Sequence, residues 1–204
     1  MDNGTVLLKK YLNLIMHDIE PHFNWRHIYT AEEDSLSPFY GREYSEFVFS
    51  ERVYNHLIHP QWDNIGSPTL FVKLLYCNYE DEFAVIELIG EWNDCLYNDI
   101  MIFKREVIDL LTAEGIKKFF LIGENVLNFH YSDTCYYEEW MEEIEGGWIA
   151  AVNFQDHVLQ EMTQIGIDQY FLWGGYLNDL PWRTFKPQDL KLKIETIFSS
   201  LIGI

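Results

Sequence analysis

Residues 83–90 read FAVIELIG, an apolar run that ends in glycine, and the same pattern returns further along the chain. The later runs are IKKFFLIG at 116–123, GWIAAVNF at 147–154 and QYFLWGG at 169–175. Each run has the length of a strand, and a helix-like segment follows the first three. Alternation of this kind is typical of a parallel or mostly parallel sheet. The sequence therefore predicts an α/β fold.

An antiparallel pair precedes these units. Residues 69–77 are strongly apolar, and the polar turn 78–82 joins them to the run at 83–89, which favours a β-hairpin. The complete prediction is a mixed β-sheet, an antiparallel hairpin plus parallel βα units, with helices on its faces. The helices are expected at about 94–114, from 132 or 133 to 144, at 156–164 and from 187 onward.

The N-terminal third is expected to pack on this core. Residues 4–19 carry the apolar stripe of a helix, 44–51 alternate like a strand, and 53–58 are its expected partner. No Gly/Ser-rich linker or charge run separates this part from the rest. We therefore expect an N-terminal helix and strand layer at 1–68 and an α/β core at 69–204, in one structural unit.

Charge limits the partners. Fourteen Lys and Arg against 33 Asp and Glu give a net charge of −19, which repels nucleic acid and anionic lipid surfaces. No run reaches the roughly 18 apolar residues of a membrane span. Cys77, Cys95 and Cys135 form no Cys-x-x-Cys pair, and free thiols suit a reducing compartment. We predict a cytoplasmic protein that binds neither nucleic acid nor membrane and is suited to a basic protein partner.

Parallel sheets bind ligands beyond the carboxyl ends of their strands. Four carboxylates are expected at that edge: Glu91, Asp94, Glu124 and Asp133. Clustered carboxylates bind Mg²⁺ or Ca²⁺, or share a proton as an acid/base pair. The simpler interpretation is that Asp94, Asp133 and Asp156 are helix N-caps. No cofactor is predicted apart from such an ion.

Further polar and aromatic side chains are expected at the same edge, as an interaction surface. They are Trp92, Asn93, Asn125, His130, Ser132, Asp156, His157, Trp173 and Trp182. Histidines there are bases, metal ligands or solvent-exposed groups, and tryptophans either belong to the core or contact a protein partner. The chain has no phosphate-binding glycine loop and no Gly-x-Ser-x-Gly elbow, which disfavours two large enzyme classes.

The order of a hairpin followed by alternating helices and strands, over about 69–204, resembles the STAS domain of bacterial anti-sigma-factor antagonists; a flavodoxin-like arrangement is the alternative. The STAS resemblance implies a phosphorylated serine at a helix start. Ser132, in the turn Tyr131-Ser132-Asp133-Thr134-Cys135, lies near that place, without the family's glycine. Residues 90–99 and Pro181-Trp182-Arg183 also resemble an acidic bacterial protein family, which implies no activity.

Two functions follow as hypotheses. The first is a non-enzymatic interaction or regulatory module whose acidic edge binds a basic protein. The second is an enzyme or binding protein that uses a divalent cation held by the four carboxylates.

Overall fold

The computed structural model describes residues 19–54 and 56–202. The predicted helix at 4–19 lies outside this range except for Ile19. Within the described residues, no helix combines the length and the apolar character that crossing a bilayer requires.

The main sheet has five strands whose spatial order follows the chain. They are β3 (Asp63–Asn64), β4 (Leu70–Asn78), β5 (Phe83–Asn93), β6 (Lys118–His130) and β7 (Trp148–Val152). The pairs β3/β4 and β4/β5 are antiparallel, whereas β5/β6 and β6/β7 are parallel. The predicted mixed sheet is thus confirmed. A separate two-stranded hairpin is formed by β1 (Arg52–Val53) and β2 (His56–Leu57).

Helices connect the parallel strands as predicted. After β5 come a short α1 (Asp94–Tyr97) and the long α2, which runs through Asp99–Phe103, a π-helical stretch at Lys104–Ile108 and Asp109–Ala113. After β6 comes α3 (Cys135–Glu143), and after β7 come α4 (Asp156–Gln164) and short 3₁₀ segments at Ile167–Gln169, Gly175–Asp179 and Trp182–Thr184. The last helix is α5 (Pro187–Ile202), which begins at the proline, where a missing N–H costs nothing.

The two faces of the sheet are buried by different parts of the chain. On one face, Ile86 and Leu88 of β5 pack in a core with Phe103 of α2 and Trp140 of α3. On the other face, Val85 packs in a core that contains residues of the N-terminal segment, the 3₁₀ segments and α5. This burial on both faces explains why β5 is apolar almost throughout.

Two predicted strands differ in the structure. Residues 44–51 form no strand, and the expected partner at 53–58 pairs elsewhere, in the short β1/β2 hairpin and in a bridge between Ile58 and Ile19. Phe47 is highly exposed, so the alternating pattern meets no apolar surface that would fix it. The run at 169–173 is reduced to one bridge, between Ala150 and Leu172, because a 3₁₀ turn occupies its start.

Candidate functional site

The carboxyl ends of β5 and β6 lie side by side. Asn93 of β5 is the register partner of His130 of β6, and both strands continue past the glycines at which we expected them to stop. Glu91, Trp92, Asn93, Asn125 and His130 therefore lie in strands, whereas the sequence placed them in loops. Consecutive strand residues face opposite sides of the sheet, so these side chains are divided between its two faces.

Glu91 is buried in a polar network on the side of the β1/β2 hairpin. The hydroxyl of Tyr54 donates to Glu91 Oε2, and Asn93 Nδ2 donates to Glu91 Oε1 at 2.6 Å. His130 Nε2 lies 3.3 Å from the same Oε1, and Asn128 Nδ2 donates to the Tyr54 hydroxyl at 3.1 Å. The bond to Glu91 raises the pKa of Tyr54. The carboxylate thus orients an exposed tyrosine and a half-exposed histidine at the end of the sheet.

Asp94 faces the helical layer instead. Its Oδ1 accepts from Trp92 Nε1 at 3.0 Å and from the backbone N–H of Ile100 at 2.8 Å, and its Oδ2 accepts from the Tyr137 hydroxyl at 2.6 Å. Burial raises the pKa of Asp94 to about 6, although these bonds oppose the shift. The N-cap of α1 is Asn93, so the capping role expected for Asp94 is wrong.

Glu124 belongs to a third network. Its Oε1 accepts from Asn153 Nδ2 and from Trp182 Nε1, both at 2.8 Å, and its Oε2 lies 2.5 Å from Arg183 Nη1. Burial alone would raise the pKa of Glu124, but these donors together lower it. Arg183 thus neutralises the Glu124 carboxylate.

Asp133 is exposed and accepts only a local bond, from the backbone N–H of Cys135 at 3.1 Å. The four carboxylates proposed to bind a metal are thus distributed over separate networks. Across 19–54 and 56–202, no three His, Cys, Asp or Glu side chains form a group that could hold a metal ion. The structure does not assemble the expected site from Glu91, Asp94, Glu124 and Asp133.

The remaining residues of the predicted interaction edge differ in exposure. Trp92 and Trp182 are fully buried, so the prediction that they are available to a partner is corrected. Trp173 is half-buried and packs against the core, and Asn125 is half-buried in β6. Ser132, Asp156 and His157 are exposed, with His157 Nε2 2.8 Å from the Leu127 carbonyl oxygen. Asp156 is the first residue of α4 and Gln155 is the N-cap.

Apolar side chains at this edge were missed by the sequence reasoning. Leu96 is 72% exposed and Tyr97 is 41% exposed on α1, and Tyr131 is 49% exposed directly after β6. Because α1 and Tyr131 follow the register partners Asn93 and His130, they occupy the same end of the sheet. We call Leu96, Tyr97 and Tyr131, together with Tyr54 and His130, the strand-end surface.

Comparison with solved structures finds a Thermotoga maritima protein described as an anti-sigma factor antagonist, with 20% sequence identity and a TM-score of 0.35. The match covers 43% of this chain and 75% of that chain. It is the class of protein that the element order resembles. No family model and no curated protein matches the chain. A TM-score of this size transfers no function to this chain.

Proposed function

We propose that this protein is a non-enzymatic regulatory module that binds a basic protein partner through the strand-end surface. The observation that carries the proposal is the exposure of Leu96, Tyr97 and Tyr131 together at one end of the sheet. Exposed apolar side chains that lie together mark interaction sites, whereas single ones need no explanation. Tyrosine is also enriched among the residues that dominate binding energy at interfaces.

Charge supports a basic partner. The chain carries −19, and Asp133 is exposed two residues after Tyr131. Complementary charge speeds association and makes it dependent on salt. The free thiols of Cys77, Cys95 and Cys135 support the cytoplasm as the proposed location.

The test compares three forms of the full chain as bait in lysate of the source cell at low salt. They are the wild type, the double variant Leu96→Ala/Tyr131→Ala, and the control Leu192→Ala, whose residue is 62% exposed on α5. We expect a basic protein that the wild type and the control retain and the double variant loses. That protein is then purified and titrated against all three forms by calorimetry.

Removing two interface residues that each contribute more than about 1 kcal/mol should weaken binding by at least about tenfold. Affinity should also fall as salt rises from 50 to 200 mM, because salt screens the attraction between the two proteins. The screening length in this range is about 10 Å. Equal affinity of the double variant and the control, or a partner that is itself acidic, would refute the proposal.

A further inference from the structure

Glu87 is a charged residue in the middle of the sheet. It lies in β5 and is 1% exposed, between Val85 and Ile89, which face the same side and belong to two apolar clusters. Burying a carboxyl group among apolar residues is unfavourable unless hydrogen bonds compensate. A position of this kind, which interrupts the apolar run from Phe83 to Ile89, points to a role beyond packing.

Two distant parts of the chain meet at this carboxyl group. The backbone N–H of His22 donates to Glu87 Oε2 at 2.8 Å, and Arg183 Nη2 lies 3.5 Å from Glu87 Oε1. The His22 ring makes edge contacts with Trp25 and with Trp182, each at 4.9 Å between centroids, and the two indoles are 5.5 Å apart. The N-terminal segment around His22–Trp25 and the C-terminal segment around Trp182–Arg183 therefore join directly over Glu87. We call this contact the terminal junction.

The charges that face Glu87 compensate it only in part. Arg183 is shared, because its Nη1 is already 2.5 Å from Glu124 on β6. Lys73, the cross-strand neighbour of Glu87 on β4, places its Nζ 3.4 Å from Asp63 Oδ2. Burial lowers the pKa of His22, and Arg183 lowers it further, which favours a neutral ring. An ionised Glu87 thus retains one backbone N–H and one distant, shared guanidinium.

Burial raises the pKa of Glu87 to about 7, against the opposing effects of the His22 N–H and Arg183. Since this pKa lies above the ordinary glutamate value of 4.5, the protonated form is favoured by the closed structure. Protonated Glu87 therefore stabilises the closed structure. This contribution is fully present below pH 4.5 and is lost as the pH rises through about 7.

We infer that Glu87 is a proton-controlled contact that keeps the terminal junction closed while its carboxyl group is protonated and loosens the junction when it is ionised. An ionised carboxylate gains solvation if water enters, and water enters only when the N-terminal or the C-terminal segment moves away from the sheet. The inference concerns the opposite side of the sheet from α2 and α3 and does not depend on the strand-end surface.

The experiment measures protection of the His22 amide against hydrogen exchange, corrected for the intrinsic rate, between pH 6 and pH 8. If the pKa of Glu87 is about 7 when the terminal junction is closed and 4.5 when it is open, protection should fall about tenfold over this range. Glu87→Gln, neutral at every pH, should show a loss below about twofold. Glu114→Gln, which changes an exposed carboxylate at the end of α2, should retain the tenfold loss.

Unchanged protection in the wild type, or the same tenfold loss in Glu87→Gln, would overturn the inference. If Glu87→Gln does not fold, the carboxyl carbon of Glu87 is titrated by NMR in the wild type together with the indole signals of Trp25 and Trp182. A common midpoint near pH 7 supports the inference, and a carboxyl midpoint near the ordinary glutamate value of 4.5 overturns it.

Discussion

Gly90→Ala is expected to destabilise the protein severely. Gly90 lies in β5 with a φ of +114°, and a Cβ at that position would come within 2.0 Å of the Thr69 carbonyl oxygen. The backbone conformation alone costs an L residue about 1–3 kcal/mol. Moving the strand to relieve the overlap adds about 1–3 kcal/mol, and losing the bond from the Glu91 N–H to Thr69 O, 2.9 Å long, adds about 1 kcal/mol. We expect a loss of about 3–7 kcal/mol in the free energy of unfolding.

Gly115→Ala is the matched control. Gly115 also has a positive φ, +96°, but no atom lies within 4 Å of an added Cβ. This variant should lose only the conformational part, about 1–3 kcal/mol. The difference between the two variants therefore measures the close approach to Thr69, about 2–4 kcal/mol.

Both free energies are measured by urea unfolding at pH 7, with tryptophan fluorescence and circular dichroism as independent probes. The slope against urea should be the same in both variants, so that the midpoints report stability. A difference below about 1 kcal/mol would refute the argument that Gly90 is required by the Thr69 carbonyl group.

Two further predictions concern charged groups. Chelator-treated protein should unfold at the same temperature with and without Mg²⁺ or Ca²⁺, because no three acidic, His or Cys side chains of the described residues form a metal-binding group. A rise of about 5 °C or more in the unfolding midpoint would contradict this and favour the cation hypothesis. Lys104→Met should lower the free energy of unfolding by about 1–3 kcal/mol at pH 7, since Lys104 Nζ lies 2.5–3.2 Å from Asp109, Glu139 and Glu143. Urea unfolding of both forms at pH 7 checks this loss, and a loss below about 0.5 kcal/mol would contradict the charge argument.

The sheet was predictable because its signals are local. The hairpin of β4 and β5, the parallel strands β6 and β7, and the helices between them follow from apolar runs and turn residues. The strand ends were not predictable in this way. The sequence predicts that the strands stop at Gly90 and Gly123, but both glycines lie inside strands that continue to Asn93 and His130. Gly90 passes a carbonyl oxygen, and a Cβ at Gly123 would lie 2.3 Å from the Phe154 ring. Glycine marks a close approach at these positions, and only the tertiary structure reveals the neighbouring atom.

The candidate site was harder to predict for the same reason. Because the strands are longer than predicted, Glu91 contacts Tyr54 of the β1/β2 hairpin whereas Asp94 contacts Tyr137 of α3. Two carboxylates that are close in sequence therefore lie in different parts of the structure. The preference of Asp for N-cap positions led to a wrong prediction for Asp94 and Asp156, because Asn93 and Gln155 are the N-caps of these helices. The exposure of Leu96 and Tyr97 was not predictable, because the sequence does not show that α1 ends at Asn98. The short helix leaves both side chains exposed.

The terminal junction also has a consequence for the order in which the protein folds during synthesis. Each strand of the main sheet pairs with the strand made just before it, so pairing can proceed as the chain leaves the ribosome. The terminal junction is different, because Trp25 cannot form its contact with Trp182 until Trp182 has been translated, more than 150 residues later. Until then the face around Val85 lacks its C-terminal covering segments, the 3₁₀ segment at Trp182–Thr184 and α5. Nascent chains that stall before about residue 180 would carry a paired sheet with one apolar face open, and these are the species that chaperones should retain.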